Sequence, residues 1–160
     1  GLAQRLPERE VLALPVGVTL PKALSDWRSV TISLSAAGVH KSDGLSHWNA
    51  NGLIAGIAIR PSGYRDLAGL AQWLPQSGGL VEADALAACL AHAPTSAWQR
   101  AAYLARWAGA EGVADRLMAE RPPKTPVWFG ATRSAGATHD PATKITDADL
   151  APLMNTGVGA

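Results

Sequence analysis

Residues 97–120, AWQRAAYLARWAGAEGVADRLMAE, decide how the rest of the chain is read. Trp98, Ala101, Ala102, Ala105 and Ala108 recur at the i, i+3, i+4, i+7 spacing of a helix that buries one stripe, and Tyr103 and Leu104 widen it. Arg100 and Arg106 fall off the stripe. A second helix follows a break at Gly109 or Gly112. In it Val113, Ala114 and Leu117 face inward, while Asp115, Arg116 and Glu120 stay wet. Glu111 opens that helix, where a negative charge suits the dipole. Pro122 and Pro123 stop it. The stretch is a helical hairpin, a scaffold with no chemistry of its own.

Working outward, Pro94 breaks the preceding segment, and Thr95 or Ser96 is placed to cap the hairpin. Residues 80–92 are an alanine-rich helix. Cys89 within it is the chain's one cysteine. It reads as a small core residue rather than a nucleophile, and it excludes an internal disulfide. Residues 64–74 place Tyr64, Leu67, Leu70, Ala71 and Leu74 on one helical face, with Ser62 as the expected N-cap and Ser77-Gly78-Gly79 as the loop beyond. Residues 53–60, LIAGIAIR, read as a strand buried on both faces, with Gly56 marking a bulge or a close backbone approach. Residues 36–51 read as a loop with turns at Asp43-Gly44 and Asn51-Gly52.

Nearer the start, 30–35 alternate Val30, Ile32 and Leu34 against Thr31, Ser33 and Ser35, a half-buried strand. Residues 11–20, broken by Pro15 and Gly17, read as an edge strand or two short pieces, 21–27 as a short connection or helix turn, and 1–10 as a polar frayed helix or entry segment. Past the hairpin, 127–130 are a strand and 131–144 a loop. Ile145 restarts a strand, and Asp147 caps a short helix ahead of a flexible tail. The expected fold is α+β (mixed): an antiparallel or mixed sheet with a segregated group of helices in the second half. It is one domain over 1–160, strand-rich to residue 60, helical over 61–120 and closed by 121–160.

Composition narrows the functions. Apolar residues make up 48% and charged residues 17%, which suits a packed domain, and the net charge of +1 is too small to argue for nucleic acid alone. No apolar run reaches the roughly 18 residues of a membrane span, and no signal peptide is visible, so a cytoplasmic protein is expected. The histidines are His40, His47, His92 and His139. His40 and His47 share one loop without the third and fourth ligands that zinc requires, so no metal and no cofactor is expected. The chain lacks a G-x-S-x-G elbow, a phosphate-binding G-x-x-x-x-G-K-[ST] loop and a G-x-G-x-x-G turn, so no catalytic residue is assigned. The alternative reading is a nuclease- or hydrolase-like domain with a site in loop 36–51 or 131–144. Its signature would be His40, Asp43, His47 and His139 meeting in one cleft. A third reading, a protein-interaction module, would expose Trp48.

Two segments are mildly basic, 22–65 and 121–144, each with a balance of +3. Their basic residues, above all Arg28, Lys41, Arg60, Arg65, Lys124 and Arg133, are the candidates for facing DNA or a protein partner, with Trp27, Trp48 and Trp128 nearby.

Residues 54–150 resemble the C-terminal part of AbiEi-type antitoxins, of the type IV abortive-infection toxin–antitoxin systems. The resemblance lies in the order of IAIRPSGYRDLAGLAQWLPQSGGL with its Gly78-Gly79 pair, the helix ADALAACL, the segment AWQRAAYLARWAG with Arg100, Tyr103 and Leu104, the strand VWFG and the closing stretch KITDADL. Ala102 stands where the family often has Gly, and Asp66 fits the family's acidic position only approximately. The resemblance implies a non-enzymatic antitoxin and transcriptional autoregulator of phage defence. Its partners would be operator DNA, read mainly by a preceding winged-helix domain that 1–60 does not supply, and a nucleotidyltransferase toxin neutralised with or without a stable complex. It also implies that Arg100 anchors helix to sheet and that Tyr103 packs in the core.

Overall fold

The structure, a computed structural model, describes residues 11–14, 17–26, 28–31, 35–42 and 45–156; the frayed segment, the tail and Ile32–Leu34 of the expected strand lie outside them. Strands β1 (Val11–Leu14) and β2 (Arg28–Thr31) pair in parallel, joined by a short helical turn at Lys22–Leu24. Strands β3 (Val39–Ser42) and β4 (Leu45–Trp48) form an antiparallel ribbon. Five helices follow: α1 (Ala50–Ile59), α2 (Leu67–Trp73), α3 (Ala83–Leu90), α4 (Thr95–Trp107) and α5 (Glu111–Glu120). Strands β5 (Val127–Trp128), β6 (Thr138–Asp140) and β7 (Ile145–Asp147) form a mixed sheet in the order β5-β7-β6, and α6 (Ala151–Asn155) ends the described chain. The α+β class holds, with the helices grouped from residue 50 onward.

Helix α4 packs on α5 and on α1, and α1 also packs on α3. The predicted stripe is the core: Trp98, Ala101, Ala102, Tyr103, Leu104, Ala105 and Ala108 are all buried. The break falls at Gly109, whose φ of +77° only glycine adopts without strain. Gly109 N–H donates to the Arg106 carbonyl and Ala110 N–H to that of Ala105, the paired bonds of a Schellman cap.

The expected strand at 53–60 is instead helix α1. Ala50, Asn51, Gly52, Ile54, Ala55, Gly56, Ile57 and Ala58 are all buried, so the helix has no polar face to reveal its period, and a short apolar run looks the same in either conformation. Local polar groups decide it. The Asn49 side chain accepts from Gly52 N–H at 3.0 Å, an N-cap, and its amide donates to the Ala37 carbonyl at 2.7 Å. Asn51, expected in a turn, sits in the first helical turn, where its buried oxygen accepts from Glu82 N–H at 2.9 Å.

Four further expectations change. The 36–51 loop contains the β3–β4 ribbon, whose exposed His40, Lys41, Ser46 and His47 hide any alternation. Trp48 is not fully exposed. It is half-buried, and a Cβ at Gly56 would lie 2.6 Å from its ring, so the indole lies on α1 where that glycine leaves room. The cap of α2 is Asp66, which accepts from Gly69 N–H at 2.8 Å, and not Ser62, which lies in a preceding 3-10 turn. The loop 131–144 likewise contains β6, paired antiparallel with β7.

Candidate nucleic-acid and partner interface

One turn of α4 carries three polar side chains that each clasp the closing sheet. Gln99 is buried, and its amide donates to the carbonyls of Thr125 and Thr143, both at 3.0 Å. Arg100 donates from Nε to the Trp128 carbonyl at 2.9 Å and from Nη1 to the Ala58 carbonyl at 3.4 Å. Ala58 lies at the C-terminal end of α1, where a cation suits both the unpaired carbonyls and the dipole. Tyr103 donates its hydroxyl to Asp147 Oδ2 at 2.9 Å. Arg100 therefore does bridge helix and sheet, and Tyr103 does pack in the core.

Asp147 is fully buried and is met from every side by donors. Its Oδ1 accepts from the N–H groups of Asp149 and Leu150, and its Oδ2 accepts from Ala151 N–H at 2.8 Å besides Tyr103. The carboxylate thus ends β7, caps the approach to α6 and holds α4. Burial and the neighbouring Asp147 charge push the Tyr103 hydroxyl well above the ordinary tyrosine range, because both oppose a phenolate. Burial lowers the Arg100 pKa, and nearby Arg133 lowers it further. One more link is ionic: Arg106 on α4 lies 3.9 Å from Asp140 on β6.

The candidate basic residues are spread along the molecule. Arg28 stands on β2 opposite Val11, with its side chain outside the described residues. Lys41 is exposed on β3, in register with Ser46. Arg60 and Arg65 are exposed on either side of the turn at Pro61–Gly63, and Lys124 is exposed between α5 and β5. Arg133 is also exposed and stacks 4.6 Å above the Trp128 ring, while Nη1 donates to the carbonyls of Gly130 and Thr132. Arg133 and Arg100 thus meet at Trp128. Of the suggested histidine cluster, His40 and His47 face each other across the β3–β4 ribbon, with ring centroids 5.1 Å apart. His139 belongs to a different sheet, where its Nδ1 lies 3.1 Å from Thr146 Oγ1, and Asp43 lies outside the described residues.

Sequence reasoning missed Gln99 and Asn51 as polar links. Asn51 opens an otherwise apolar helix, the one visible hint that a buried polar group waits for a partner, whereas Gln99, beside Arg100, looks like part of a wet face.

Fold and site define a small α+β domain built on a helical core, with a mixed sheet clasped to one helix. No family model matches the chain, and no curated protein matches it. Among solved structures it is similar to the crystal structure of RV2827C protein from Mycobacterium tuberculosis, with 26% identity and a TM-score of 0.84. The likeness covers 98% of this chain and 61% of the other, so the chain spans about three-fifths of that protein's length. No helix among the described residues is long and apolar enough to cross a membrane.

Proposed function

We propose that this chain is the antitoxin domain of a type IV, AbiEi-type toxin–antitoxin system. It neutralises a nucleotidyltransferase-type toxin and assists binding of operator DNA in the cytoplasm, and it does so without catalysis. The observation that carries the reading is the joint between α4 and the closing sheet. Arg100 and Tyr103, the residues of the resemblance, hold that joint together, one on a strand carbonyl and one on the Asp147 carboxylate. A structural role for this pair is what the resemblance implies, and that agreement supports the reading. On this reading Arg28, Lys41, Arg60, Arg65, Lys124 and Arg133 are the residues available to DNA phosphates or to the toxin, and a winged-helix reader supplies most of the operator contacts. The enzyme alternative draws no support from the histidines, since His40 and His47 lie on one sheet and His139 on another.

The test is co-expression of the full gene with its neighbouring open reading frame, scored by growth with and without this domain. The neighbour is expected to arrest growth and the domain to restore it. A harmless neighbour, or arrest that the domain does not relieve, overturns the reading.

A further inference from the structure

Trp128 closes β5, an edge strand of its sheet, and two guanidinium groups meet there. Arg100 arrives from α4 on the Trp128 carbonyl, and Arg133 lies over the indole from the following loop. Both groups contact Trp128, and the Arg133 charge opposes that of Arg100. The described residues supply no ion pair to either one. Their ion pairs are Arg106 with Asp140 and Arg116 with Asp84. The neighbouring carboxylates have other hydrogen-bond partners but keep their charge, and Asp149 lies against Gly130 in the loop that leads to Arg133. Asp147 serves Tyr103 and the α6 approach, Asp140 serves Thr143 and Arg106, and Asp149 accepts from Thr132 N–H at 3.3 Å.

The hydrogen bonds leave capacity as well. A guanidinium has five N–H donors in a planar fork. Among the described residues Arg100 spends Nε and Nη1 on carbonyls, and Arg133 spends only Nη1. Nη2 of both and Nε of Arg133 remain. The end of α1 accounts for holding Arg100, whereas Arg133 is held by the Gly130 and Thr132 carbonyls and the Trp128 ring, with the Asp149 carboxylate beside the same loop but in no ion pair among the described residues. The Trp128 ring holds the Arg133 guanidinium over its face without using those donors, which leaves them free for an oxyanion.

We propose that the Trp128 corner is an anion site that takes one phosphate group of a nucleic-acid backbone between the unused edges of Arg100 and Arg133. The anion site follows from the two arginines; the choice of a nucleic acid as its source rests on the reading in "Proposed function". Phosphate suits the corner because its several oxygens can meet two guanidinium forks at once.

The test follows the arginine Nε–H and tryptophan indole N–H signals of the isotopically labelled chain during titration, first with inorganic phosphate and then with a random-sequence DNA duplex. Sodium chloride at matched ionic strength is the control. Arg133 and Trp128 are expected to shift with phosphate, and with duplex at far lower concentration, while chloride leaves them in place. Arg133→Ala, an exposed loop change that leaves the core intact, is expected to abolish both responses and to reduce the slope of log affinity against log salt for the duplex by about 1. Arg133→Lys keeps the charge but loses the fork, and is expected to restore the response only in part. No shift with either probe, or equal shifts with chloride, overturns the site. Shifts with phosphate alone overturn the nucleic-acid source. Failure of the growth assay with these shifts intact removes the antitoxin reading and leaves the anion site standing, and the reverse pattern removes only the site.

Discussion

Tyr103→Phe isolates one hydrogen bond at the centre of the joint. The ring stays, with its tilted contact to Phe129 at 5.7 Å between centroids and its edge contact to Trp107 at 6.1 Å. What is lost is the hydroxyl that donates to Asp147 Oδ2. A hydrogen bond to a charged group contributes about 1.5–3 kcal/mol net. Asp147 keeps three backbone N–H donors, which limits the damage, so the expected destabilisation is about 2 kcal/mol. For a chain of this size that lowers the melting temperature by about 4–8 °C. Tyr103→Ala also removes the ring contacts and is expected to cost about 3–5 kcal/mol. Alkaline pH gives a second readout. The unfolded tyrosine ionises near its ordinary value of 10.0, whereas the folded hydroxyl ionises well above it. The unfolded state therefore loses its proton first, and stability falls as pH rises past that value. Tyr64 is raised in the same direction by burial, so Tyr103→Phe is expected to flatten the alkaline limb without abolishing it. Chemical denaturation of both proteins at neutral and alkaline pH checks this. Equal stability at neutral pH, with an unchanged alkaline limb, would refute the assignment of Tyr103 to a buried Asp147 bond.

Three other outcomes are expected. Gly52→Ala would place a Cβ 2.0 Å from the Gly38 carbonyl oxygen, a backbone atom that cannot swing aside, so a loss of about 3 kcal/mol is expected in a urea melt. Gly109→Ala meets no neighbouring atom and is charged only for its left-handed backbone, so about 1 kcal/mol is expected, with Gly109→Asn milder. Arg28→Ala combined with Lys41→Ala is expected to lower the salt slope of operator binding by the full protein by about 2, if both neutralise phosphates, and an unchanged slope in a fluorescence titration would take both off the interface.

The parts legible in the sequence are those whose faces differ. Helix α4 announces itself because Trp98, Ala101 and Ala105 share one stripe at helical spacing while Arg100 and Arg106 fall off it. Residues 145–150 were legible for a related reason: Asp147 is a helix-capping residue type placed between a β-branched run and an apolar one. Helix α1 was not legible, because Ile54, Ala55, Ile57 and Ala58 are buried together and leave no contrast. The β3–β4 ribbon fails in the opposite sense, since its central residues are exposed. The joint itself was half legible. Arg100 and Tyr103 could be named from the resemblance, but their partners are a carbonyl of Trp128 and a carboxylate 44 residues away, which no local pattern encodes. The meeting of Arg100 and Arg133 has the same character, because only the sheet brings the loop after β5 back to α4.

The order β5-β7-β6 has a consequence for how the polypeptide is made. The central strand of that sheet is the one synthesised last. While a ribosome is still adding residues beyond Asp140, α4 can already be helical, yet the Tyr103 hydroxyl has no Asp147 to meet and one acceptor of the Gln99 amide, the Thr143 carbonyl, has not arrived. Strands β5 and β6 have no common neighbour until Ile145–Asp147 emerges between them. The nascent chain thus carries its polar clasp open until that single short strand closes it.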